Sequence, residues 1–169
     1  MRGALSRWAA ALVLGVGVAA WGGWPDVLPG LRLPDQYGTE FADEPLKARG
    51  VVLVVTAPIA AQGDAQRAWH DALGASAADK SGPAVAMLED MSQSWFRPMV
   101  VAEMKRQHPS GAPILLLLDE SGATRKAFGV AENATVAFAF APGGKLVAVE
   151  TGPASPERAL KLLHAARKR

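Results

Sequence analysis

Six successive residues, Val51 to Thr56, carry no charge and, except for Leu53, are all β-branched. Gly50 precedes them and Pro58 follows. Such side chains suit a pleated strand. The run shows no polar alternation, so neither face of that strand meets water. A strand buried on both sides needs covering layers on both sides, and the rest of the chain has to supply them.

The flanking segments do so in alternation. Residues 62–73 have helical spacing, with Ala65, Ala68, Trp69, Ala72 and Leu73 as the apolar positions and Gly74 as the stop. Residues 84–88 form a second short apolar run behind Gly82 and Pro83. Residues 94–108 read as a second helix, with Pro98 in its first turn and Trp95, Met99, Val101 and Ala102 on its apolar face. Residues 114–118 are a third strand, followed by a turn at Asp119-Glu120-Ser121-Gly122 and a short helical piece at 124–128. Residues 135–140 and 145–150 flank Pro142-Gly143-Gly144, which predicts an antiparallel hairpin. Ser155 caps a last helix that begins at Pro156, has Glu157 in its first turn, and carries Leu160, Leu163 and Ala166 on one face. The basic Arg167-Lys168-Arg169 end suits the negative end of that helix's dipole. The pattern predicts an α/β domain with a mixed central sheet and helices on both faces.

Residues 1–24 read as a signal peptide or N-terminal membrane anchor. Arg2 and Arg7 flank a stretch that has no charge from Trp8 to Pro25, and Val18-Ala19-Ala20 offers the small residues a signal peptidase accepts. The stretch is marginal for the roughly 20 residues a bilayer span needs, so cleavage and retention both stay open. If it is retained, Trp21 and Trp24 suit the membrane interface. Residues 25–34, with Pro25, Pro29, Gly30 and Pro34, read as a linker, and 35–169 as the domain. Arg2 and Arg7 apart, 16 basic residues face 16 acidic ones. A body so balanced offers no electrostatic footprint for nucleic acid. Contact with a membrane is expected only through the N-terminal segment. The domain is expected to be exported and periplasmic, or anchored to the inner membrane with its body outside the cytoplasm. An exported chain is free to use disulfides, yet this one has no cysteine, so packing alone must stabilise it.

Four short segments point to a family. They are Leu33-Pro34-Asp35-Gln36-Tyr37-Gly38, the Val51 to Thr56 strand, Leu117-Leu118-Asp119-Glu120-Ser121-Gly122 with Ala127-Phe128-Gly129-Val130, and the hairpin around Gly143-Gly144-Lys145. In this order they resemble the thioredoxin-like fold, particularly its peroxiredoxin and TlpA-like exported branch, over residues 33–166. In that family a Cys-x-x-Cys or a single peroxidatic cysteine follows the first central strand at a helix N-terminus, where the helix dipole lowers the thiol pKa. Here that place holds Ala57-Pro58-Ile59-Ala60-Ala61. The family's cis-proline before the later strand is matched by Ala134 in Glu132-Asn133-Ala134-Thr135, where a trans peptide is expected. Both halves of the redox site are absent.

The resemblance therefore implies an exported, redox-inactive thioredoxin-like domain that works by binding a protein or peptide partner in the cell envelope. Its expected surface is the degenerate active-site edge, Thr56, Pro58, Ala61, Asn133, Ala134 and Thr135, because α/β folds bind ligands at the carboxyl ends of their strands. No cofactor and no catalytic residue is expected. The alternative is a copper-handling protein or a non-cysteine enzyme on the same fold. Met104 and His108, four residues apart on one helix, are the candidate soft-metal ligands, with Met99 nearby. His70 lies beside Asp71, but adjacent helical residues point to different faces, which argues against a site there. Trp95-Phe96-Arg97-Pro98 reads first as core packing with one exposed arginine, and second as a partner-binding surface.

Overall fold

The structure, a computed structural model, describes residues 23–167. The expected leader up to residue 22, and Lys168 and Arg169, lie outside the described residues.

Two short strands, β1 (Arg32–Pro34) and β2 (Glu40–Ala42), form an antiparallel hairpin around the Asp35 turn. The Asp35 carboxylate accepts the backbone N–H groups of Tyr37 and Thr39, both at 2.8 Å, which closes the turn. A one-and-a-half-turn helix, α1 (Glu44–Arg49), leads to Gly50 and into the buried strand β3 (Val51–Thr56). Gly50 has φ of 74°, and a Cβ there would lie 2.4 Å from the Ala166 carbonyl oxygen. Only glycine lets the chain enter the sheet this close to the C-terminal helix.

The remaining elements are α2 (Gly63–Ala77), β4 (Ala84–Asp90), a 3-10 turn (Met91–Gln93), α3 (Arg97–Gln107), β5 (Leu115–Asp119), α4 (Ala123–Ala127), β6 (Val136–Phe140), β7 (Leu146–Glu150) and α5 (Pro156–Arg167). The five-stranded sheet has the order β5-β4-β3-β6-β7. β3, β4 and β5 run parallel, whereas β6 is antiparallel to β3 and to β7.

Alternation along β3 sorts the core into two layers. Val52 and Val54 face α2, α3 and α5, where Trp69, Leu73, Met104, Leu162 and Ala166 pack. Val51, Leu53 and Val55 face the opposite layer, built from Leu46, Phe128, Val130, Phe138 and Phe140. Leu28 and Leu31 are buried in this second layer, and the Trp24 ring meets Phe138 edge-on at 5.4 Å. The stretch from Trp24 to Leu31 is thus packed onto the domain. Val27 bridges to Lys145, and the Leu28 N–H donates to the Gly144 carbonyl.

Several sequence-based expectations need correcting. Gly74 does not stop α2, which runs to Ala77. Leu73 and Ala77 pack on the core, and that burial outweighs the roughly 1 kcal/mol that an interior glycine costs. Ala68, expected on the apolar face, is exposed. The helix expected over 94–108 starts only at Arg97, because the Pro98 ring and its missing N–H confine it to the first turn. Trp95, Met99 and Ala102 consequently do not form a core face, and Met104 is the buried residue of α3. In α5 the buried stripe is Ala159, Leu162, Leu163 and Ala166, with Leu160 outside. Its start is as expected, the Ser155 hydroxyl accepting the Arg158 N–H at 3.2 Å.

Candidate functional site

An open groove of about 780 Å³ runs between α2 and α3. Met87 of β4 and Leu116 of β5 form its floor, and Pro58 and Ile59, just past the end of β3, close one end. α2 contributes Gln66, Arg67, His70 and Asp71, while α3 and its C-cap contribute Met99, Val100, Glu103, Met104 and His108. The groove exists because α2 and α3 follow neighbouring parallel strands and cover the same side of the sheet. Met99, in the groove wall, is 66% exposed, and the nearby residues before α3, Trp95 and Phe96, are 95% and 68% exposed. Three large apolar side chains close together in the chain are thus open to water and not part of the core. The core-packing reading of the Trp95 cluster is therefore wrong.

Beneath the start of α2 lies a buried polar patch. Thr56 and Glu89 are register partners on β3 and β4. The Thr56 hydroxyl is 2.9 Å from that of Thr135, which in turn donates to the Gln62 side chain. The Gln66 amide donates to Glu89 Oε1 at 2.6 Å, while Oε2 has no hydrogen-bond partner. Glu89 is wholly buried, and burial pushes its carboxyl up to about 7 against the opposing pull of the Gln66 hydrogen bond. Glu89 was not singled out in the sequence. Its one signal there is a charged residue closing an otherwise apolar strand run, which reads equally well as the strand's exposed end.

At the far end of the groove two histidines meet. The rings of His70 and His108 are 4.6 Å apart, edge to face. His70 Nδ1 lies 3.3 Å from Asp71 Oδ1, so the adjacent pair does touch, contrary to the expectation from helix faces. The His108 N–H donates to the Met104 carbonyl at 2.8 Å, which sets His108 one turn above Met104. The N-terminal hairpin holds this corner in place. Gln36 and Tyr37 donate to the His108 carbonyl at 3.0 and 3.2 Å. Burial, and then the neighbouring His70, hold the His108 imidazole below its usual pKa. Among the described residues no three of His, Cys, Asp and Glu come together closely enough to hold a metal ion.

The loop after β4 is fixed by a buried ion pair. Arg125 Nε donates to Asp90 Oδ2 at 2.5 Å, and the same guanidinium donates to the Val130 carbonyl. Asp90 also accepts hydrogen bonds from Ser92 and Gln93. Burial pushes its carboxyl up, but the hydrogen bonds from Ser92, Gln93 and Arg125 outweigh burial and hold it below its ordinary value. This lock directs the chain through the 3-10 turn and out to Trp95.

The expected edge residues are divided by the structure. Thr56 and Thr135 are brought together, but Thr56 is fully buried and offers the surface no atoms. Pro58 lines the groove. Ala61 and Asn133 are exposed, and Ala134 is half-buried against the second core layer. All described peptide bonds are trans, including the one before Ala134. Met104 and His108 do share the groove, with His70 as a further member.

Three parallel strands extended by an antiparallel hairpin, with helices on both faces, define a thioredoxin-like fold, here without any cysteine. Solved structures agree. A thiol:disulfide interchange protein of the thioredoxin family from Chlorobium tepidum superposes with a TM-score of 0.64 at 16% identity, covering 87% of this chain and 99% of that one. StoA from Bacillus subtilis gives 0.63 at 14% identity, covering 82% and 98%. The exposed lipoprotein thioredoxin Etrx1 of Streptococcus pneumoniae gives 0.62 at 17%, covering 80% and 98%. No protein-family model matches the sequence, and no curated protein does.

Proposed function

We propose that this chain is an exported thioredoxin-like domain that binds a protein or peptide partner in the cell envelope and performs no thiol chemistry of its own. The observation that carries this reading is the groove beside Pro58 and Ile59, with Met99 exposed in its wall and Trp95 and Phe96 exposed nearby. Aromatic side chains next to a concave apolar surface supply the anchors that dominate peptide and protein binding. The absence of cysteine removes the nucleophile on which thiol-disulfide exchange depends. Export is supported by the leader-like composition of the first residues and by the resemblance in fold to an exposed lipoprotein of another organism.

Site-specific photo-crosslinking in intact cells tests the binding surface. A photoreactive residue at Ile59, Trp95 or Met99 is expected to give a discrete adduct, and one at Leu160, exposed on α5 and outside the groove, is not. Adducts that form equally from Leu160, or from none of these positions, refute the reading. Insulin reduction and peroxide consumption by the purified protein should not exceed buffer. Fractionation should place the chain outside the cytoplasmic membrane, and a purely cytosolic signal would overturn the expectation of export.

A further inference from the structure

The far end of the groove joins residues from two helices: His70 on α2, and Met104 and the C-cap residue His108 of α3. We propose that His70, His108 and Met104 form a binding site for a single soft cation, copper(I), at the end of the groove remote from Pro58. Its three ligands are not the anchors named for partner binding, although they share one groove with Met99.

The geometry suits two imidazoles on one metal. A metal–nitrogen bond of about 2.0–2.1 Å puts each ring centroid about 3.2 Å from the ion, so two ligands have centroids about 4.5 Å apart at about a 90° angle and about 5.5 Å apart at the roughly 120° of a trigonal ion. The observed separation is 4.6 Å with the rings at 82°. Nδ1 of His70 lies 3.3 Å from the Asp71 carboxylate, an acceptor that favours the tautomer with its proton on Nδ1 and a free lone pair on Nε2. A carboxylate behind a ligating histidine both sets its tautomer and raises its basicity. His108 is held from behind, its carbonyl accepting from Gln36 and Tyr37 and its N–H bonded to the Met104 carbonyl. Met104, four residues before His108, lines the same groove as both histidines.

The donor set selects the metal. No third imidazole or carboxylate completes a site for a harder ion among the described residues. A thioether with two imidazoles is a soft, three-donor set, which suits copper(I) and is poor for magnesium, calcium or manganese. Met99 and Met87 line the same groove and add polarizable surface around it. Arg67 is the one cation lining the groove, and it is offset by the carboxylates of Asp71 and Glu103.

The test is an anaerobic titration of the full chain with copper(I), kept reduced by ascorbate and competed with the chromogenic chelator bicinchoninate. One equivalent is expected to be withheld from the chelator. His70→Asn and His108→Asn should each weaken binding at least about tenfold, in the range seen when metal-site groups are removed. Met104→Leu, which conserves volume, should weaken it as well, and His164→Asn on α5 should leave it unchanged. Near-ultraviolet circular dichroism of each variant confirms that folding is retained. His70 is only half-buried, so its replacement tests the site even where Met104→Leu disturbs the core. X-ray absorption of the loaded protein should show nitrogen and sulfur together around the copper. Failure to withhold copper, retention of full affinity in His70→Asn, or a spectrum without sulfur overturns the proposal.

Discussion

Glu89→Gln removes a buried carboxyl while keeping the shape of the side chain, and pH decides what the change does to stability. The folded protein holds this carboxyl at about 7, against 4.5 for an ordinary glutamate. Between those values the folded state keeps a proton that the unfolded chain has lost. Stability therefore falls as pH rises, starting near the unfolded value and ending once pH has passed the folded one. A difference of about 2.5 pKa units corresponds to about 3 kcal/mol, each unit being worth about 1.4 kcal/mol. Glutamine is uncharged throughout and escapes this loss. Its amide still accepts from Gln66, but its own N–H2 group faces the position where Oε2 has no partner, a pH-independent cost of about 1–3 kcal/mol. The variant should thus gain about 3 kcal/mol on the wild type between about pH 4.5 and about pH 8.5. Other titrating groups cancel in the difference. Urea unfolding across that range, followed by tryptophan fluorescence with the buried Trp69 as a reporter, measures the effect directly. A difference that does not change with pH, or one that grows toward acid, would refute the placement of Glu89 in an unpaired, water-free position.

Arg125→Met should destabilise by about 3–5 kcal/mol, because it leaves the Asp90 carboxylate buried without its cation, and adding Asp90→Asn should recover part of that loss. A cost below about 1 kcal/mol in equilibrium unfolding would show that the pair does not hold the loop. Replacing Trp95 and Phe96 together by alanine should leave the unfolding midpoint close to wild type, since both side chains face water, while abolishing the crosslinks expected from Ile59 and Met99. A large drop in stability instead would mean that these rings pack against the fold.

The local rules carried much of the architecture. The β-branched run of β3, the Gly143-Gly144 reversal and the Ser155-Pro156 helix start each depend on residues close together in the chain, so composition was enough to place them. The same holds for the missing nucleophile, because a cysteine that is absent from the chain is absent from every site. The errors arose where burial decided. Gly74 reads as a stop because its propensity is poor, yet Leu73 and Ala77 bury against the sheet and keep α2 going. Trp95 reads as core because tryptophan is usually buried, yet the proline three residues on delays α3 and the Asp90–Arg125 lock turns the preceding loop outward.

What the sequence determined by itself was an order of elements for a mixed α/β sheet, which follows from local pattern, and the absence of a thiol, which follows from composition. The thioredoxin-like reading came from the resemblance of four short segments to that family. What only the tertiary structure decided was which residues meet. His70 and His108 lie on different helices and touch because their strands are neighbours and parallel. Glu89 is buried because Gln66 and the start of α2 close over the end of β4. Contacts of this kind depend on the sheet's register and on how the helices pack over it, and no spacing along one element encodes them.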